Sequence, residues 1–256
     1  MSELLPWQYA AIALVFVWSG FVRSGLGFGG AVLSLPFLLL IVDDPLIFLP
    51  IIAVHLLFFS SLIMWQSQRA RRREGGEASI DWGYLKYSLK IMMVPKLIGV
   101  LGLVTLPTQV MSTIVLVIVV VYSIGYVLNK PFKSENPHVD AIFLALGGYV
   151  SGTSLIAAPL VMAVYSTHVP RYQLRDTLFV LWFVLVTIKM LSFVALDVDL
   201  QLIHHLWLLP AAFVGHLIGQ RMHERLLTTD PVQFYRYLGS VLLGVSLLGI
   251  GRTLFS

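Results

Sequence analysis

Residues 20–40 read GFVRSGLGFGGAVLSLPFLLL. Gly25, Gly27, Gly29 and Gly30 interrupt a very apolar stretch, and Arg23 stands just before them. Glycine in a helix interior costs about 1 kcal/mol relative to alanine. A span that weakens its own helix and carries a guanidinium is not built as a plain membrane crossing. The apolar run around it covers 7–42. As one helix that run would extend roughly 54 Å, against a hydrocarbon core of about 30 Å. Two arrangements accommodate it. One is a strongly broken span with further helix, and the other is a hairpin that enters and leaves on the same side.

The rest of the chain sets this stretch in a membrane. Of 256 residues, 58% are hydrophobic and 12% charged, about half the charged share of a soluble domain. Mean hydropathy is +0.87. Such a chain cannot cover itself with polar surface in water. With no cysteine, disulfides, thiolate metal sites and cysteine nucleophiles are excluded. The net charge of +4 resides mainly in short loops between apolar runs, where membrane topology explains it better than nucleic acid does. The N-terminus Met-Ser-Glu-Leu-Leu-Pro carries no basic region, so no cleaved signal peptide is expected.

Further apolar runs fall at 46–66, 83–105, 108–128, 139–167, 175–195, 202–222 and 231–251. A crossing needs about 20 residues, so the fifth run, 139–167, is again too long. Loop charge decides how both long runs are used. Arg69, Arg71, Arg72 and Arg73, then Lys130 and Lys133, mark cytoplasmic loops; Asp43-Asp44-Pro45 and Leu106-Pro107-Thr108 have no basic residue and go outside. Arg171 with Arg175 and Arg221 with Arg225 are placed inside, and Asp197 with Asp199 outside. The fifth run then begins and ends inside, as a hairpin does. A matching hairpin in 7–42 gives each half one hairpin and three full spans, and places both termini outside. The alternative is eight simple spans.

An odd number of crossings makes the halves inverted copies. RSGLGFGGA at 23–31 aligns with VSGTSLIAA at 150–158, each followed by a proline, Pro36 and Pro159. VPKLIGVLG at 94–102 is similar to LPAAFVGHLIG at 209–219. The expected fold is an all-α integral membrane protein of two inverted repeats, each a broken or re-entrant Gly-rich helical hairpin plus three transmembrane helices. The repeats run over 1–130 and 138–256, joined by a cytoplasmic linker at 131–137 in one membrane domain. Internal repeats with broken helices are a transporter signature.

These features resemble the TauE/SafE family of sulfite and organosulfonate exporters. The family carries a Gly-rich segment in each half. Here the first is Ser24-Gly25-Leu26-Gly27-Phe28-Gly29-Gly30 followed by Pro36. The second keeps Ser151-Gly152, then departs, with Ser154, Ile156, Ala157 and Ala158 where glycines are usual. The resemblance covers essentially the whole chain. It implies a secondary transporter of the cytoplasmic membrane that exports a sulfonate or sulfite by alternating access.

The residue chemistry is read independently. A hairpin tip presents a half-helix N-terminus, whose free N–H groups and dipole favour an anion. Arg23, Ser24, Gly25, Gly27, Gly29, Gly30, Ser151, Gly152, Thr153, Ser154 and Lys96 are the candidate substrate-binding residues, the two tips facing one site. The plain alternative for Gly25 and Gly29 is a GxxxG packing face. Charge inside a bilayer is functional by default, and Arg23, Lys96 and Lys189 outnumber the embedded acid Asp176. A cation transporter would show the reverse. His55, Arg175, Asp176, Lys189 and His216 are weaker candidates for gating or proton coupling. Snorkelling explains Lys189 equally well, and a buried histidine is more often structural. Trp7, Trp65, Trp82 and Trp207 lie near span ends, as interfacial tryptophans do.

The implied partners are a small anionic substrate and membrane lipid, with no nucleic acid; homo-oligomerisation and proton coupling stay open. No cofactor and no metal are expected. An anion channel, or a permease for carboxylates or other anions, uses the same residues. A membrane-embedded enzyme acting through His55 and His216 lacks paired carboxylates, a metal motif and a nucleophile elbow.

Overall fold

The computed structural model describes residues 4–26, 30–74, 80–130, 134, 136–228 and 231–255. The described residues form ten α-helices and no strand: α1 Pro6–Leu26, α2 Gly30–Ile41, α3 Pro45–Glu74, α4 Trp82–Thr105, α5 Thr108–Val127, α6 Pro137–Thr153, α7 Ala158–His168, α8 Arg171–Ala195, α9 His205–Thr228 and α10 Pro231–Phe255. The protein is an all-helical membrane protein. Five of the described helical stretches are long and apolar enough to cross a bilayer, at Pro45–Gln66, Trp82–Thr105, Thr108–Val127, Arg171–Ala195 and Leu202–Arg221.

Prolines set many of the starts. Pro6, Pro45, Pro137 and Pro231 are first residues of helices, and Pro107 and Pro170 immediately precede α5 and α8. Proline lacks the N–H that a first turn leaves unused and has a helix-ready φ. Three starts have a side-chain cap: Asn136 accepts the His138 N–H at 2.9 Å, Asp44 that of Leu46 at 2.9 Å, and Asp81 that of Tyr84 at 2.9 Å. Pro36, Pro50, Pro95 and Pro210 lie inside helices. Membrane helices tolerate this because neighbouring helices satisfy the freed carbonyls.

Both long runs fold back on themselves. In the first, the Gln8 amide donates to the Ile41 carbonyl at 3.3 Å, and Ser19 Oγ donates to the Gly30 carbonyl at 3.3 Å. Those two bonds order α1 and α2 antiparallel. In the second, Asp140 in the first turn of α6 meets His168 at the end of α7 at 2.8 Å. Midway, the Val161 side chain fills the notch at Gly147. Neither run is a single long span.

The helices form two compact units, and neither unit is a sequence half. The first comprises Met1–Ile51, Thr105–Pro131 and Asp199–Ser256; the second comprises Ile52–Val104 and Phe132–Val198. In the first unit α1 packs along α9 and α5 along α10. One end of that unit gathers Gln8, Ile41, Asp43, Leu40, Arg252 and Thr253: Thr253 Oγ1 donates to Asp43 at 3.0 Å and Arg252 to the Leu40 carbonyl. The second unit is centred on Leu85, Met92, Leu144, Val161, Tyr165, Leu181 and Leu185. At one of its ends Tyr84 stacks on His168 and packs edge-on to Tyr165.

Polarity is reversed relative to a soluble protein. Leu14, Leu206 and Leu248 are about 70% exposed or more, whereas Arg23 is 4% and Lys96 and Lys189 are 0% exposed. Lipid rewards the first set, and the protein interior must satisfy the second.

Candidate functional site

Each unit holds a buried cation beside the break of its hairpin. In the first unit Arg23 lies in the last turns of α1. Its Nη2 donates to Ser19 Oγ at 3.4 Å, one turn earlier on the same face. The guanidinium also packs on Gly30, where a Cβ would come within 3.2 Å of Nε. Ser24 hydrogen-bonds across to His216 Nδ1 of α9. The structure therefore joins Arg23, Ser24, Gly30 and His216, which are scattered over the sequence. Gly25 ends up within α1. Gly27 and Gly29 lie outside the described residues.

In the second unit the break follows Thr153. The chain reverses at Leu155, whose φ of +60° places a bulky residue in the left-handed region. Two lysines from different helices meet the end of α6. Lys96 of α4 donates to Ser151 Oγ at 2.9 Å and to the Ser151 carbonyl at 3.5 Å. Lys189 of α8 donates to the Gly152 carbonyl at 2.6 Å, with its ammonium 5.4 Å from the Phe193 ring centroid. Cations belong at a helix C-terminus, where unpaired carbonyls carry partial negative charge. Among the described residues no carboxylate bonds either lysine. Helix α7 then begins without a side-chain cap.

Thr153 and Ser154 sit here too, both buried. Their hydroxyls donate to the Val150 carbonyl at 3.2 and 3.1 Å, which closes the last turn of α6. Those hydrogens are directed into the helix, whereas the sequence reading has them facing a ligand. Arg175 and Asp176 are not part of the cluster. Thirteen residues of α8 separate Asp176 from Lys189, roughly 20 Å along the axis. Arg175 is exposed and lies over the Phe179 ring at 5.7 Å. His55 is fully buried in α3 of the second unit. Among the described residues no group of three or more His, Cys, Asp or Glu could hold a metal ion.

Glycine contacts give the two units a shared internal pattern. A Cβ on Gly20 would overlap the Ala212 carbonyl, and one on Gly215 the Val17 carbonyl. In the other unit a Cβ on Gly152 would overlap the Lys96 carbonyl, and one on Gly99 the Tyr149 carbonyl. Both are antiparallel crossings with contacts three residues apart on each helix. This pattern matches Ser19-Gly20 with Ser151-Gly152, five residues from the Ser24 register that the glycine motif selects. Ser19 is the residue the sequence reading missed. Each of these serines accepts a hydrogen bond from a buried cation, Arg23 or Lys96. The signal was a second Ser-Gly pair, overshadowed by the glycine-rich one.

A model of the family described as sulfite exporter TauE/SafE matches residues 12–249. No curated protein and no solved structure matches the sequence.

Proposed function

Because the chain belongs to the sulfite exporter TauE/SafE family, whose members are membrane exporters and not enzymes, we propose that it exports a small sulfur oxyanion, sulfite or an organosulfonate. The carrying observation is the set of cations buried in apolar helices at the two hairpin breaks. Among the described residues Lys96 and Lys189 have carbonyl and hydroxyl partners but no carboxylate, so a bound anion supplies the missing negative charge. Sulfonate and sulfite oxygens suit charge-assisted donors. The candidate binding groups are Arg23, Ser24 and Gly30 in one unit, and Lys96, Ser151 and Gly152 in the other. The uncapped start of α7 adds backbone N–H groups of the kind that bind anions.

Transport proceeds by alternating access in the cytoplasmic membrane, with 1–130 and 138–256 as inverted repeats and both termini outside. The fold-back of both long runs supports this topology, as does the matched glycine crossing in each unit. An anion moving alone leaves a negative cytoplasm downhill by about 2.3 kcal/mol per charge per 100 mV, whereas an anion that moves with a proton carries no net charge and is driven by its concentration gradient. Reconstituted vesicles should show saturable flux of sulfite or a sulfonate, accelerated by the same anion on the opposite side. Flux without that acceleration would identify a channel. Flux of carboxylates alone would identify a different permease.

Topology has its own check, since the chain has no native cysteine. Thr167→Cys should react with an impermeant maleimide from the cytoplasmic face, and Asp199→Cys from outside. Labelling of Thr167→Cys from outside refutes the second hairpin.

A further inference from the structure

We propose that each anion bound at the Lys96–Lys189 cluster brings one proton with it, so that transport is proton-linked. This rests on the reading of the cluster as an anion site. Both ammonium groups are fully buried, and they bind neighbouring positions on one helix end, Ser151 and Gly152. A helix C-terminus offers roughly half an elementary negative charge. That offsets part of one ammonium and leaves nothing for a second.

Among the described residues the surroundings supply no carboxylate, and Tyr149, two residues before Ser151 on α6, is a phenol. On α6, the ionisable Asp140 sits eleven residues before Ser151 and pairs with His168 of α7. Tyr165 of α7 packs against Tyr84 of α4 toward that same end. On α8, Asp176 and Arg175 lie more than three turns before Lys189, and Asp197 lies beyond the end of the helix. His55 is the buried titratable group of α3 in this unit, and it can add positive charge but not negative. Two like charges in a dry site titrate as a coupled pair. With no anion present the pair holds one proton and one lysine is a neutral amine. That amine still donates to its carbonyl. A monoanion entering the cluster balances a second ammonium, and a proton from water binds the free Nζ. Charge is conserved as one anion and one proton taken up together.

The test is calorimetric titration of the purified full chain with methanesulfonate, which stays ionised throughout. Measurements in phosphate and in Tris separate the heat of buffer deprotonation. The expected result is uptake of about one proton per methanesulfonate, with affinity falling about tenfold per pH unit on the alkaline side. Lys189→Met leaves a single amine that already holds its proton without an anion, and it should bind methanesulfonate more weakly, with no proton uptake and no pH slope. Wild-type binding with identical heats in both buffers and a flat affinity from roughly pH 6 to 9 overturns the proton link alone. A wild-type protein that binds no methanesulfonate, and moves neither sulfite nor sulfonate in vesicles, overturns the anion reading beneath it.

Discussion

Lys96→Met is expected to keep the fold and lose most anion binding. Lys96 is fully buried and held by Ser151 through its hydroxyl and carbonyl. Hydrogen bonds to charged groups contribute about 1.5–3 kcal/mol, so affinity for a sulfonate should fall roughly tenfold to a hundredfold. Stability should move the other way or stay level. Replacing buried charge with an apolar side chain of similar volume is often neutral or stabilising, and Met follows the path of the lysine stem. Thermal unfolding and sulfonate binding on the same preparation check both halves. A variant that unfolds, or that binds like wild type, contradicts the assignment.

Gly152→Val is expected to do the reverse and destroy the fold. A Cβ at Gly152 meets the Lys96 carbonyl oxygen, with the Gly99 Cα and Val100 N at 2.9 Å. The obstacle is backbone, so no rotamer change relieves it. Overpacking ordinarily costs about 1–3 kcal/mol, and a branched side chain against a helix backbone should exceed that range. The α4–α6 crossing must open, which also pulls Lys96 from Ser151. Size-exclusion in detergent should show loss of the monodisperse species. Gly244→Ala is the control, because nothing lies within 4 Å of its added Cβ. It should stabilise α10 by about 1 kcal/mol through helix propensity alone.

The spans could be read from the sequence because their signals are local. Apolar run length located the starts of the helical runs to within four residues, and prolines marked many of them, while α3 and α9 continue to Glu74 and Thr228, past apolar runs that end at 66 and 222. The hairpins were legible for another local reason. Arg171 and Arg175 stand after a run that also begins beside a basic loop, and the charge rule expects both ends of such a run on one side; the structure shows the fold-back itself. The candidate site was legible only in part. Arg23 and Lys96 stood out as charges in apolar runs. The meeting of Lys96 with Lys189 did not, since it depends on two helices converging on the end of a third. Ser19 was hidden because register between crossing helices is set by which glycine admits a carbonyl. Gly20, outside the glycine-rich cluster, performs that role. The compact units escaped too, because packing partners need not share a sequence half.

The crossing of α1 with α9 also fixes an order of events during synthesis. Gly215 closes against Val17, and about 200 residues of chain separate them. At roughly 5–20 residues per second, the first hairpin exists for about 10–40 s before its partner helix leaves the ribosome. Through that interval Arg23 has no His216-bearing helix beside it, and its charge must be sheltered by other means. Ser19 remains its partner within the hairpin, and the crossing at Gly20 closes only when α9 arrives. Biogenesis of this protein is then a late locking step, and variants at Gly20, Ala212 or Gly215 should be degraded as inserted but unlocked chains.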